Sequence, residues 1–337
     1  MAEQKKIYKA AVIGCGKIGV EEGLSGKKAR PATHAGAYKN HPRIELAGLA
    51  DTNPVRLRVA SRYFPGVPLF KSAESLLESI KPDIVSIATD TRSHAALTKL
   101  AAKYGIPAIV CEKPIAAAIK EARESIIACK KSGSLLFINH NLRFDPIFKE
   151  VKENIEKGKY GKIIQATVYY YNGLFNNGTH WIDILRFFFG EVEWVFAAEN
   201  KATEKKSLKN DLSADVLFRF KNGTTAVWQS LPPDYGFSEM YLLGEKGGLF
   251  FRDNAFRLEY RPLVAHKYFK GFHQLRQKPK IRGKMRSFRM QMADHVVKCL
   301  DGKEKPISRG EDGLADLKVL FAMKESVRTG KIIRLKK

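Results

Sequence analysis

The stretch Ala10–Gly19 reads AAVIGCGKIG and decides the fold. Four apolar residues predict a short buried strand, and the glycines that follow have the spacing G-x-G-x-x-G. In a dinucleotide-binding loop the first glycine permits a tight turn, the second lets backbone approach the pyrophosphate, and the third lets the next helix pack closely. The N-terminus of that helix offers N–H groups to phosphate. A simple three-glycine turn is the alternative, which the flanking sequence must exclude. The predicted cofactor contacts in this loop are Gly14, Gly16, Lys17, Ile18 and Gly19.

The composition predicts a globular protein of one large or two ordinary domains. The chain has 337 residues, of which 44% are hydrophobic, and this is enough for a sizeable core. The polar start Met1–Lys6 fits no secretory signal, and no run approaches the roughly 20 apolar residues of a membrane span. The four cysteines and eight histidines lack metal-ligand or disulfide spacing. We therefore predict reduced thiols, no metal site, no membrane contact and a cytoplasmic location.

The formal charge of +24 concerns partners and solubility and does not indicate a fold. Basic residues are densest between Arg261 and Arg289, where ten Lys or Arg occur with no Asp or Glu. The stretch has three interpretations: a solvated loop, a cradle for an anionic substrate, or a non-specific nucleic-acid surface. Since no basic and aromatic nucleic-acid motif accompanies it, we predict no specific nucleic-acid partner.

Strand and helix signals alternate through residues 1–143. Such repetition predicts a doubly wound parallel sheet, in which ligands bind outside the carboxyl ends of the strands. A polar segment, Val20–Pro31, forms an insertion at the edge of the cofactor site. The strands predicted after Ala10–Ile13 are Ile44–Ala50, Leu69–Phe70, Asp83–Ala88, Ala108–Cys111 and Leu135–Ile138. The helices predicted here are Thr33–Lys39, Asn53–Tyr63, Ala73–Ile80, Ser93–Tyr104 and Ile119–Lys131.

The acidic residue Asp51 follows the second strand. A carboxylate there can accept hydrogen bonds from the adenosine ribose and repels a 2′-phosphate, so Asp51 favours NAD over NADP. A simple turn role in Asp-Thr-Asn-Pro is the alternative. Arg56 and Arg58, close behind it, keep NADP open.

The pattern changes at about residue 145, so residues 144–337 are predicted as a second, α+β domain whose C-terminal residues can pack back on the first. Asn222-Gly223 is a hairpin turn signal, and consecutive strands with short turns indicate an open, mostly antiparallel sheet. The predicted strands are Lys162–Tyr171, Val192–Ala198, Ser213–Phe220, Thr224–Ser230, Glu239–Leu243, Gly248–Arg252 and Phe256–Tyr260. The predicted helices are Pro146–Lys157, Thr179–Phe189, Phe288–Leu300 and Gly310–Thr329.

Motifs along nearly the whole chain resemble the glucose–fructose oxidoreductase / inositol dehydrogenase (Gfo/Idh/MocA) family. They include VIGCGKIG, LADTNP, CEKPIA, NGTHWIDILRFFFG and ISRGEDGLADLKVLFAMKES. Glu-Lys-Pro after the fifth strand, combined with the later Gly-x-His-x-x-Asp, is the most specific part. The resemblance implies an N-terminal Rossmann domain and an open second sheet that forms the substrate wall and a homodimer or homotetramer interface. It also implies hydride transfer between nicotinamide and a secondary hydroxyl or ketone of a sugar, cyclitol or sugar nucleotide.

The resemblance assigns roles that suit this chemistry. His180 is the expected general acid/base, because imidazole exchanges protons near neutral pH, and Lys113 is expected to stabilise the developing alkoxide. Asp183, three residues after His180, is expected to contact substrate or to orient the site. The family often has Asp at the position of Asn176, and this departure puts an Asp–His relay in doubt. The other implied contacts are Thr89 and Glu112 with Lys113 on the cofactor side, and Asn139, Arg143 and Asn176 with Lys113 and His180 on the substrate side.

The main functional prediction is an NAD-dependent oxidoreductase, with an anionic or nucleotide-linked sugar as the sharper version. Two alternatives stay open at this point. A few relatives use NAD transiently during glycoside cleavage with no net redox change. The +24 charge and Asn176 also allow a non-enzymatic NAD-binding regulator.

Overall fold

The structure, a computed structural model, describes residues 6–21, 32–203, 211–284 and 288–335. It divides into two compact units. Unit 1 contains Met1–Phe144 and Ser287–Leu317, and unit 2 contains Asp145–Arg286 and Lys318–Lys337. The glycine-loop unit is thus discontinuous in sequence. Within the described ranges, no helix has the length and apolar character needed to cross a membrane.

Unit 1 is built on a six-stranded, wholly parallel sheet in the order β3-β2-β1-β4-β5-β6. The order reverses between β1 and β4, which is where doubly wound sheets bind ligands. Its strands are β1 Tyr8–Ile13, β2 Ile44–Ala50, β3 Leu69–Phe70, β4 Ile84–Ile87, β5 Ala108–Cys111 and β6 Leu135–Ile138. Its helices in the first segment are α1 His34–Asn40, α2 Pro54–Tyr63, α3 Ala73–Ile80, α4 Thr91–Lys103 and α5 Ile119–Ser132. The predicted doubly wound sheet is confirmed.

The core of unit 1 explains why the chain returns to it after residue 287. Val12, Val110 and Phe137 are fully buried in one apolar cluster that includes Met292 and Val296. The last two lie on helix α8, Phe288–Leu300. The burial of these apolar side chains, each worth about 1.5–3 kcal/mol, holds α8 on the parallel sheet.

Unit 2 contains a ten-stranded mixed sheet in the order β14-β13-β12-β11-β7-β10-β9-β8-β16, with β15 paired to β13. Only β7 and β10 run parallel; the other pairs are antiparallel. The strands are β7 Ile163–Tyr170, β8 Val192–Glu199, β9 Ala214–Phe220, β10 Thr225–Ser230, β11 Glu239–Gly244, β12 Gly247–Arg252, β13 Arg257–Ala265, β14 His273–Leu275, β15 Lys280–Lys284 and β16 Ile333–Arg334. The helices are α6 Pro146–Glu156 and α7 Thr179–Phe189, and α9 Gly310–Thr329 begins in unit 1 and continues here. The predicted open, mostly antiparallel sheet is confirmed.

Aromatic packing holds the helices of unit 2 on its sheet. The ring of Phe148 on α6 stacks 4.9 Å from that of Phe251 on β12 and 6.1 Å from that of Phe188 on α7. Trp228 and Phe218 are fully buried with ring centroids 4.8 Å apart. These contacts pack α6 and the C-terminal end of α7 against the sheet.

In its described part, the basic stretch Arg261–Arg289 is not one continuous loop, because strands alternate with exposed turns. β13 continues to Ala265, and β14 and β15 follow it as further strands. Backbone pairing overrides the unfavourable strand signals of Pro262 and the many cations. The insertion Val20–Pro31 lies outside the described residues from position 22 onward.

Candidate active site

Two of the three loop glycines are required by the protein's own packing. Gly14 has φ +100°, and a Cβ there would lie 2.5 Å from the Ala88 carbonyl oxygen. A Cβ on Gly19 would lie 1.8 Å from the Gly14 carbonyl oxygen. Among the described residues, the nearest atoms to a Cβ on Gly16 belong to the Arg56 side chain, at an ordinary 3.4 Å. Because internal packing does not demand glycine at position 16, its bare backbone fits the close approach of a dinucleotide pyrophosphate.

Asp51 is bound to the glycine loop. Its Oδ2 accepts a 2.8 Å hydrogen bond from the Cys15 N–H, and its Oδ1 accepts one of 2.8 Å from the Asn53 N–H. Arg56 Nη1 lies 3.8 Å from Oδ2. Each carboxylate oxygen keeps a second lone pair, so the ribose role predicted for Asp51 remains chemically available.

The glycine loop leads into a helical turn, described over Lys17–Glu21. The N–H groups of Val20 and Glu21 both donate to the Gly16 carbonyl. Within it the Lys17 side chain is exposed and Ile18 is half-buried. Their cofactor contacts stay predictions.

His94 connects the ends of β4 and β5. Its Nδ1 lies 2.7 Å from the Pro114 carbonyl oxygen and its Nε2 lies 3.2 Å from that of Thr89. Burial opposes a charge on His94, but the Cys111 sulfur and these two carbonyl acceptors together raise the pKa of His94 to about 9. A protonated ring donates to both strand ends, which places Thr89 and Pro114 at one edge of the sheet.

A buried chain of hydrogen bonds ends at Glu112. Tyr38 Oη donates to Ser86 Oγ at 2.6 Å, and Ser86 Oγ donates to His34 Nδ1 at 2.9 Å. His34 Nε2 donates to Glu112 Oε1 at 2.9 Å, and Asn139 Nδ2 donates to the same oxygen at 2.6 Å. These donor directions follow from an anionic Glu112, which can only accept, and a neutral His34 with one N–H.

The electrostatics of this chain are consistent with those charge states. Burial lowers the pKa of His34, so its imidazole is neutral at pH 7. Burial opposes the charge on Glu112, yet the His34 and Asn139 hydrogen bonds hold the pKa of its carboxyl well below the usual range. A fixed negative charge therefore sits directly before Lys113.

Lys113 follows β5 at the edge where β1, β2 and β4 also end. Its side chain is half-buried, its N–H donates to Glu112 Oε2 at 3.3 Å, and its bond to Pro114 is cis. Burial, with Arg143 and Lys113 as nearby cations, lowers the pKa of His140 to about 4 despite the Asp316 carboxylate 3.2 Å away. His140 is thus neutral at pH 7, and Lys113 is a half-buried cation at this edge whose charge suits a developing alkoxide.

Arg143 has contacts that hold unit 1 together. Its Nη1 donates to the Ile307 carbonyl at 2.9 Å and lies 3.3 Å from Asp312 Oδ1. The side chain of Asn139 is likewise committed to Glu112. The substrate contacts predicted for Asn139 and Arg143 remain predictions.

In unit 2 the turn that precedes α7 is organised by Asp211. Its two carboxylate oxygens accept hydrogen bonds of 2.9 Å from the N–H groups of Phe175 and Asn176. Gly173 has φ +77°, and a Cβ there would lie 2.4 Å from the Asp211 carboxyl carbon, so the turn requires glycine. This places a carboxylate next to Asn176, the position where the family pattern often carries Asp.

The remaining predicted residues lie on this segment. His180, in the first turn of α7, is half-buried, Asp183 is fully buried on the same helix, and Asn176 is exposed. The sequence interpretation missed two residues: His34 and Asp211. A histidine that opens a helix after a Thr33 cap was a weak signal for His34, and no local pattern marks Asp211.

Family models match both units. Residues 8–140 match the model described as an oxidoreductase family with an NAD-binding Rossmann fold, and residues 172–250 match the GFO/IDH/MocA C-terminal domain. The matched segments contain the glycine loop, Glu112, Lys113, the Asp211 turn and His180.

Curated relatives include apiose and inositol dehydrogenases. D-apiose dehydrogenase of Paraburkholderia graminis is 29% identical over 239 residues, which cover 66% of this chain and 60% of the relative. The chain spans 64% of a second D-apiose dehydrogenase, from Rhizobium rhizogenes. Myo-inositol 2-dehydrogenase of Thermotoga maritima is 27% identical over 348 residues, covering 96% of this chain and 97% of the relative.

Solved structures share the fold. The WlbA dehydrogenase of Bordetella pertussis, in complex with NADH and UDP-GlcNAcA, has a TM-score of 0.80 at 24% identity, covering 98% of this chain and 100% of that one. The aldose-aldose oxidoreductase of Caulobacter crescentus has a TM-score of 0.79 at 22% identity, with the same coverage. At these identities the likeness establishes the fold alone.

Proposed function

This chain belongs to the GFO/IDH/MocA family of oxidoreductases, and we propose that it transfers a hydride between NAD and a secondary hydroxyl or ketone of a carbohydrate-type substrate. NAD is the cofactor that the family's Rossmann model assigns. The observation that carries the proposal is the edge of unit 1, where the glycine loop, Asp51 and Lys113 follow β1, β2 and β5. A dinucleotide fits this edge because Gly16 leaves its backbone open.

Bound NAD supplies the hydride acceptor, and the chain supplies position and charge. In the oxidation direction, the substrate carbon loses a hydride and its hydroxyl loses a proton, which leaves a ketone. We assign His180 as the base that takes this proton, since imidazole titrates near neutral pH. Lys113 stabilises the negative charge that develops on the oxygen, and the buried Glu112 anion favours the charged ammonium.

Asp211 carries a carboxylate next to Asn176, the position where the family pattern often has Asp. Its carboxylate is held by the N–H groups of residues 175 and 176, four or five residues before His180. We assign to Asp211 the negative charge that Asp supplies in the usual family pattern. The charge favours the protonated imidazole that forms when His180 accepts the substrate proton.

The substrate class follows from the relatives. Two curated relatives are named for apiose and inositol, and the WlbA neighbour was crystallised with NADH and UDP-GlcNAcA. An anionic, nucleotide-linked sugar is the sharper version of the proposal. We place the reaction in the cytoplasm, where NAD is available.

A homodimer or homotetramer through the sheet of unit 2 is the proposed assembly. Phe196, Leu217 and Val227 are directly opposed across β8, β9 and β10 and are 38–41% exposed. Such a contiguous apolar row favours an interface. Light scattering after gel filtration tests it: Val227→Glu should yield monomers, and an unchanged mass would exclude this face.

The test of function measures NADH absorbance at 340 nm with a panel of free sugars, inositols and UDP-sugars, together with NAD affinity and product analysis. NADH formed with at least one member supports the proposal. Glycosidic cleavage without free NADH would instead support transient oxidation. Tight NAD binding with no conversion of any member would support a non-enzymatic regulator.

A further inference from the structure

The hairpin of β13 and β14 carries an unusual set of exposed aromatic side chains at its tip, residues 266–272. Tyr268 is 76% exposed, Phe272 69% and Phe269 63%. They are three of the four most exposed large apolar side chains in the described part of the chain. Isolated exposed apolar residues are ordinary, but three within five positions form a patch.

The tip has a defined shape. The His266 N–H donates to the Phe272 carbonyl at 2.8 Å, which closes the turn. His266 Nδ1 accepts hydrogen bonds from the N–H groups of Tyr268 at 3.2 Å and Phe269 at 3.1 Å. The Phe269 ring lies 4.9 Å from the imidazole. The backbone thus holds the aromatic side chains outward.

The charge around the tip has one sign. Lys267, Lys270, Arg276 and Lys278 are all exposed, and no acidic residue occurs between Arg261 and Arg289. The nearest carboxylate on the hairpin, Glu259, is buried and paired with Arg257 and Arg261. The surface therefore combines apolar area with uncompensated positive charge.

We propose that this tip docks on an anionic lipid surface, with Tyr268, Phe269 and Phe272 at the headgroup boundary and the cations over the lipid phosphates. Aromatic residues favour that boundary, and basic residues near it are attracted by anionic lipids. This peripheral contact revises the prediction of no membrane partner. It is independent of the proposed reaction.

Other partners fit the tip less well. A symmetric contact between two tips would bring like charges together, which is unfavourable. Single-stranded nucleic acid uses aromatic faces along a groove, whereas the Phe269 face packs on His266 and the tip is a projecting turn. Anionic lipid complements both the charge and the shape.

The test is co-sedimentation of the full chain with sucrose-loaded vesicles of pure phosphatidylcholine and of phosphatidylcholine with 30% phosphatidylglycerol. Wild type should bind the anionic vesicles at least tenfold better and lose binding as salt rises. The double variant Lys267→Gln/Lys270→Gln should bind the anionic vesicles about 25-fold more weakly, because each lysine near the surface contributes about fivefold to binding. The pair Phe269→Ser/Phe272→Ser should bind at least about tenfold more weakly.

Matched controls lie elsewhere on the surface. Tyr235 is 67% exposed, and Tyr235→Ser is the control for the aromatic substitutions. Lys103 and Lys305 are exposed, and Lys103→Gln/Lys305→Gln is the control for the lysine substitutions. These controls should bind like wild type, and all variants should keep the wild-type melting temperature. Equal losses in tip and control variants would overturn the proposal, because binding would then be unspecific charge attraction. So would tip variants that lose single-stranded DNA binding or self-association while vesicle binding persists.

Discussion

Replacing His34 by Phe tests the buried hydrogen-bond network that ends at Glu112, the residue before Lys113. The substitution keeps a ring of similar size but removes the donor to Glu112 and the acceptor for Ser86. A lost hydrogen bond to a charged group costs about 1.5–3 kcal/mol, and a lost neutral one about 1 kcal/mol. We expect unit 1 to lose roughly 2–4 kcal/mol of unfolding free energy at pH 7.

The pH dependence of this loss is more diagnostic than its size. Burial lowers the pKa of His34 in the folded state from its usual 6.5. The stability that neutral His34 contributes to wild type is therefore fully present above pH 6.5 and is lost as pH falls through the lowered pKa. The Phe variant lacks this proton uptake. Its deficit relative to wild type should therefore shrink as the pH is lowered from 7 to 5.5.

Native-state hydrogen exchange measured by mass spectrometry reads the two units separately. Peptides from β1 and β4 report unit 1, and peptides from β9 and β10 provide an internal control. Tyr38→Phe removes only the hydroxyl at the far end of the hydrogen-bond network. The free energy of unfolding should therefore fall by about 1 kcal/mol, independently of pH over this range. A His34→Phe deficit below about 0.5 kcal/mol, or one that is equal at both pH values, would refute the reasoning.

Three further predictions concern the loop and the strand ends. Gly19→Ala should destabilise unit 1 by about 1–3 kcal/mol or more. Gly16→Ala should leave stability within about 0.5 kcal/mol and weaken NAD binding at least about tenfold. Calorimetry measures both stability and NAD binding, and equal effects of the two substitutions would contradict the geometry. Because the pKa of His94 is raised, the stability that its protonated ring contributes is complete below pH 6.5 and is lost as pH rises through about 9. In urea unfolding, the stability advantage of wild type over His94→Gln should therefore fall over this pH range by up to about 1.4 kcal/mol per pH unit. A constant advantage would exclude a protonated His94. For oxidation, where His180 acts as the base, Asp211→Asn should shift the acidic limb of the kcat profile to lower pH with an unchanged NAD affinity, and an unshifted profile would exclude its electrostatic role.

Features with local sequence signals were predictable. The spacing of Gly14 and Gly19 reflects contacts that leave no room for a Cβ. The strands Ala108–Cys111 and Leu135–Ile138 have the predicted bounds, because short β-branched and apolar runs flanked by polar residues are typical of covered parallel strands. The helix Thr179–Phe189 is also confirmed as predicted.

Features that depend on distant partners were not predictable in this way. His34 meets Glu112 across 78 positions, and Asp211 meets Asn176 across 35, so no window of sequence links either pair. The extension of β13 past Tyr260 depends on pairing with β12 and β14. The density of basic residues allowed a solvated loop there, and tertiary pairing added strands.

The most direct test of the proposed reaction compares wild type with Lys113→Met and His180→Asn, using a panel substrate that yields NADH. His180→Asn should retain NAD affinity within about twofold, because it removes neither the loop nor Asp51 nor a predicted cofactor contact; Lys113 is itself a predicted cofactor contact, so kcat of both variants is measured at saturating NAD. Each should lower kcat by about 10²–10⁴. Turnover within about threefold of wild type in either variant, with NAD bound, would contradict the roles assigned to Lys113 and His180.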